Sequence, residues 1–199
     1  MPPATNRLAR VVVAIARAEW HELAVAADEA RAAGDDRARL DETLLQATLF
    51  FGFPRVVTAF EHVAAAWPRQ GVPASAAMAP ELRANRGREL FAAIYGKNDA
   101  AVRDKLHGFH PEFHDFVLED AYGRILSRSD LDVPTRELLA VTALAALTQI
   151  PQLTAHARGA LKFGASPEAI RAAMRLGGLD ETQCDEALRR AAAPFRSGE

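Results

Sequence analysis

The chain lacks the features that mark several large classes of function. Its 199 residues include one cysteine, Cys184, which excludes an intramolecular disulfide and any Cys-x-x-Cys redox pair within the sequence. Long apolar runs are missing as well. The longest candidate, Leu138 to Leu147, carries Thr142 and falls short of the roughly 18 residues that a membrane span requires. There is no basic excess: 24 Lys and Arg against 26 Asp and Glu leave a net charge of -2. Neither nucleic acid nor a membrane surface is therefore expected as a partner. No phosphate loop, GxSxG elbow or glycine-rich dinucleotide signature is present. Arg7, Arg10 and Arg17 interrupt the N-terminal segment, so no secretory leader is read there and a cytoplasmic location is expected.

What remains is alanine, leucine and arginine in helical periods, with Val11-Val12-Val13 the only β-like cluster. The pattern predicts an all-α chain. Helices are expected over 5–19, 21–33, 37–51, 54–67, 80–95, 99–107, 111–128, 133–148, 151–163, 167–176 and 181–193. Gly34, Gly96 and Gly164 fall where left-handed caps would close helices. Asp132-Val133-Pro134 and Ser166-Pro167-Glu168 have a capping side chain followed by proline, which marks helix starts. Pro68 to Ala79 is the least patterned stretch and reads as a linker. A weak repeat also runs through the chain: Leu23, Ala26, Ala30 and Gly34 match Leu153, His156, Ala160 and Gly164 at an offset of 130 (Leu23 to Leu153). Alanine-rich helices match one another easily, so the bland reading of that repeat stands beside the structural one.

Chemistry concentrates between Tyr122 and Gly164. Glu137 lies early in an apolar helix, where a carboxylate serves either as a cap or, once buried, as a proton carrier. His156 sits in the next helix among Leu153, Ala157, Ala160 and Leu161, with Gln152 one turn earlier. It is either a structural histidine or the acid/base partner of Glu137. A second cluster precedes these: Glu42 and Gln46 share a helix face, and Phe50, Phe51 and Phe53 bracket Gly52 ahead of Pro54. That glycine-proline corner forms either one wall of an apolar pocket or a tight helix joint. His107, His110 and His114 draw attention as a metal site, but no HExxH pattern accompanies them. No metal is expected.

Taken together, YGRILSRSDLDVPTRELL and PQLTAHARGALKFG resemble the carboxymuconolactone decarboxylase-like family, within the superfamily of alkylhydroperoxidase D. The matching positions are Tyr122, Gly123, Arg128, Leu131, Asp132, Thr135, Arg136 and Leu138, then Leu153, His156, Ala160, Leu161 and Gly164. ETLLQATLFFGFPRVVTAF is similar to the family's later helix pair, through Phe50, Gly52, Pro54 and Ala59. The resemblance implies an alkylhydroperoxidase D-like helical bundle over 1–199. In it the first half (about 5–67) is degenerate, 68–110 is a linker with an extra helix, and 111–195 is the better-matched half. Because the good Gly-x-Pro copy lies before His156, the chain reads as permuted or duplicated.

The peroxidase branch of the superfamily adds two cysteines, but here Gln149 and Gln152 occupy their places. Without a thiolate there is no peroxide nucleophile. The resemblance then implies a cofactor-free lyase acting on a small carboxylated lactone or related acid. In it His156 is the acid/base and Glu137 its partner, while Gln152 binds substrate. Arg136 or Arg55 neutralises a carboxylate, and Gly52, Phe53 and Pro54 line the pocket. A homo-oligomer, trimer or hexamer, is implied too. Two other readings stay open: a related oxidoreductase that has lost its thiols, and a non-catalytic helical binding or assembly protein.

Overall fold

The computed structural model describes residues 1–69, 71 and 79–193. Among them every regular element is helical, as the propensity pattern predicts. Most of the expected linker, Pro68–Ala79, lies outside the described residues. Ten α-helices follow in chain order: α1 (Pro3–Arg17), α2 (Trp20–Ala32), α3 (Arg37–Ala66), α4 (Pro80–Tyr95), α5 (Asp99–Phe109), α6 (Pro111–Asp115), α7 (Val133–Ala146), α8 (Ile150–Lys162), α9 (Pro167–Gly177) and α10 (Glu181–Ala192). The chain divides into two compact units, Met1–Gly71 with Asp130–Glu199, and Val72–Ser129.

In the larger unit α7 is the central element, packed against α1, α3, α8 and α9. Every residue from Thr135 to Ala145 is buried, because ELLAVTALAAL is apolar on all faces and so needs neighbours all round. Each buried Leu or Val there contributes about 1.5–3 kcal/mol. Asp132 caps α7, accepting from the Thr135 amide at 2.7 Å. The buried Thr142 hydroxyl donates to the Leu138 carbonyl at 2.9 Å.

The repeat read from the sequence is carried by the backbone. Between α1 and α2, Ala18 has φ 57, and between α7 and α8, Thr148 has φ 55. The bonds Ala18 N–Ile15 O and Glu19 N–Ala14 O recur as Thr148 N–Ala145 O and Gln149 N–Leu144 O. At the far ends of α2 and α8, Gly34 N–Arg31 O and Asp35 N–Ala30 O recur as Gly164 N–Leu161 O and Ala165 N–Ala160 O. All keep the offset of 130. Two helical hairpins with one backbone design therefore stand in the same unit.

Sequence periodicity expects two helices over 37–51 and 54–67, and α3 holds both as two arms. Gly52 has φ 73 and ψ 169, non-helical values that break the element, in a region open essentially to glycine alone. A straight helix of 30 residues would separate its ends by about 45 Å. Instead the Arg37 guanidinium donates to the Trp67 carbonyl and lies 5.5 Å over its ring, so the arms fold back on each other. Taken as one helix, α3 meets the length and hydropathy measure of a membrane span, which the sequence reading did not anticipate. Each arm is about half that length, too short to cross. In the second copy, α9 and α10 meet at Gly178, φ 113.

The smaller unit holds α4 to α6. Residues 111–128, expected as an α-helix, run as α6 and then as a π-helix over Phe116–Leu126. The wider winding accommodates a close backbone crossing: a Cβ on Gly87 of α4 would fall 1.9 Å from the Leu118 carbonyl, and one on Gly123 would fall 2.3 Å from that of Arg83. Phe91 packs between Tyr95 and Tyr122, with ring centroids at 4.3 and 4.8 Å.

Candidate functional site

The turn at Thr148 sets α7 and α8 antiparallel, and this brings Glu137 opposite His156. The imidazole Nδ1 and the Glu137 Oε2 are 2.9 Å apart. The carboxylate is 4% exposed and the histidine 17%, so the pair is enclosed but the ring still reaches solvent. Glu137 is the fifth residue of α7, beyond the turn that Asp132 caps, which removes its capping role. A carboxylate only accepts, so Nδ1 donates to it and Nε2 is the ring nitrogen that Glu137 does not engage. Burial lowers the imidazole pKa, yet the Glu137 charge and hydrogen bond together outweigh it. The net shift is upward from the ordinary histidine value. Phe50, at the end of the first arm of α3, sets its ring against His156 at 6.3 Å in edge geometry.

Other residues expected at the site are employed differently. Arg136, adjacent to Glu137, enters a different, sealed cluster: it donates to Glu42 Oε2 at 2.8 Å and to Gln46 Oε1 at 3.2 Å, while Gln46 Nε2 donates to the Arg136 carbonyl at 2.8 Å. With Arg136 2% exposed and Glu42 4%, its charge is already met inside the protein. Arg55 donates to the Ala16 carbonyl at the end of α1, a helix C-terminus that favours a cation. Phe53 is 75% exposed, and Pro54 is exposed as well. The break at Gly52 directs both outward, and Phe50 takes the place beside His156 that the sequence reading assigned to the corner. Gln152 is exposed on α8.

One residue that the sequence reading passed over is built into the pair. A Cβ on Gly159 would lie 2.7 Å from Glu137 Oε2 and 3.0 Å from its Cδ. A glycine three residues after the histidine, in mid-helix where alanine is favoured, was the available signal. The histidines of the smaller unit have local partners: His110 accepts from the Glu112 amide as the cap of α6, and His114 Nδ1 lies 2.8 Å from Asp115. Among the described residues no group of three metal-binding side chains converges.

Comparison with known proteins gives two similarities. The sequence model of the Carboxymuconolactone decarboxylase family matches residues 111–196, a span that contains Glu137, His156 and Gly159. "Peroxisomal protein 2" of Schizosaccharomyces pombe is 28% identical over 141 residues, covering 69% of this chain and 66% of that protein. The chain thus spans just under two thirds of that relative's length. Glu42, Phe50 and Gly52 lie outside the family match. Residues 111–196, which hold the His156–Glu137 pair, are thus similar to the Carboxymuconolactone decarboxylase family.

Proposed function

We propose that the chain is a lyase that removes carbon dioxide from a small carboxylated lactone or related acid, with the Glu137–His156 pair moving the proton. The 2.9 Å contact between Nδ1 and Oε2 carries the reading. It fixes the tautomer and orientation of the ring, as a carboxylate or carbonyl partner often does for a histidine acting as acid or base. The bond from the ring carbon to the carboxylate carbon breaks, carbon dioxide departs, and the electron pair remains as a carbanion or enolate. Protonated His156 delivers the Nε2 proton to that carbon and is recharged from water. The upward shift of its pKa keeps more of the acid form present near neutrality. The Phe50 ring edge supplies an apolar wall that disfavours charge on the departing carboxylate. No step requires a cofactor.

The test is carbon dioxide release from a panel of lactone carboxylates by wild type, His156→Ala and Glu137→Gln. Proton transfer by a positioned group is typically worth about 10²–10⁴ in rate, so His156→Ala should lose most turnover. A chain that melts cooperatively, turns over nothing and is stabilised by no acid or lactone in a thermal-shift screen ends this reading. Reduction of alkyl peroxide with added dithiol is expected to be absent, since Gln149 and Gln152 hold the thiol positions.

One observation favours a second reading, a helical assembly protein. Phe53 and Val57, one turn apart on the second arm of α3, are 75% and 56% exposed. Such a strip suits packing against another helix, in line with the homo-oligomer that the family resemblance implies. Light scattering on wild type and Phe53→Ser would test it: an unchanged oligomer, or a monomeric wild type, removes the strip from that role.

A further inference from the structure

We propose that Gly159 is the positioning residue of the acid/base pair, the absence of its side chain being what seats the Glu137 carboxylate against His156. The proposal rests on the proton-transfer reading for its catalytic meaning, and on geometry for the rest. A Cβ at this position would meet three atoms of one side chain, Oε2 at 2.7, Cδ at 3.0 and Cγ at 3.6 Å. The first is closer than real Cβ contacts come. The carboxylate is almost fully enclosed, and the atom that must shift is the one that accepts from Nδ1. α8 accepts a poor helix former in its interior in return.

The internal repeat supplies an independent observation. At the offset of 130, Arg7 stands for Glu137, Ala26 for His156 and Glu29 for Gly159. In that copy the Glu137 position holds no carboxylate, and the equivalent of the glycine is a long side chain, Glu29, whose own carboxylate pairs with Arg10 of α1 at the exposed edge of the hairpin. The same α-hairpin therefore does not need a glycine there for its own packing. The glycine occurs in the copy that holds the pair.

The experiment is a histidine NMR titration of the full chain, with the His156 signal assigned through its loss in His156→Gln. Gly159→Ala should lower the His156 midpoint toward that of Glu137→Gln, and Gly159→Ala combined with Glu137→Gln should lower it no further, because the glycine acts only through the carboxylate. A Gly159→Ala chain that melts earlier yet keeps the wild-type midpoint would make the residue merely structural and overturn the proposal. Should Gly159→Ala fail to fold, the added Glu137→Asp, one methylene shorter, is expected to restore folding. Failure of that double variant also overturns it, since the clash would then lie elsewhere. No turnover enters this test, so it stands or falls separately from the decarboxylation assay.

Discussion

The α1–α2 and α7–α8 hairpins share a turn, a cap and an offset, but they place charge differently. In the first, Leu23, Ala26 and Ala30 are sealed and apolar, and the ion pairs lie outside: Arg10 with Glu29 is exposed, and Arg7 with Asp35 at 2.6 Å is partly so. In the second, two charged pairs are brought inside, Glu137 with His156 and Arg136 with Glu42. The backbone closes equally well without internal charge, as the first hairpin shows. Buried ion pairs are weak contributors to stability relative to apolar replacements. The second hairpin thus carries groups that the fold does not require. Its two pairs differ in turn, since one is sealed and the other reaches solvent.

That contrast can be broken experimentally, and the sealed pair offers the largest effect. Glu42→Ala leaves the Arg136 guanidinium buried without its carboxylate and should cost about 3–5 kcal/mol, read by urea denaturation. Glu137→Gln removes a charge-assisted hydrogen bond, worth about 1.5–3 kcal/mol while His156 is protonated. The sign of its pH dependence is set by the raised His156 pKa: the contribution is full below the unfolded value of about 6.5 and fades as pH rises through the folded value. The stability gap between wild type and Glu137→Gln should therefore be wider at pH 6 than at pH 9, and a gap that widens with pH would contradict the ion pair. Gly52→Ala forces φ 73 on a residue with a side chain and should cost about 1–3 kcal/mol; because it moves Phe50, it should also perturb the His156 NMR signal. Least affected should be the first hairpin, where Glu29→Ala costs about 0.2–1 kcal/mol. A loss there as large as that of Glu42→Ala would erase the distinction.

Sequence alone determined the helices and their ends, because apolar period, Asp132, Ser166 and the glycine caps act within a few residues of themselves. It suggested the repeat, which the recurring backbone bonds of the two hairpins then carried, and it gave the meeting of two consecutive helices, since a short turn favours an antiparallel arrangement. The π-winding over Phe116–Leu126 escaped it, as 3.6 and wider periods differ little over eleven residues. Only tertiary structure decided what each polar side chain faces. Arg136 and Glu137 are neighbours in sequence, yet successive helical positions point about 100° apart, so one enters the α3 side and the other the α8 side. Phe50 rather than Phe53 meets His156 because one residue, Gly52, turns the chain between them. The demand for glycine at 159 belongs to a carboxylate twenty-two residues earlier in sequence and on another helix, a contact that no local pattern encodes.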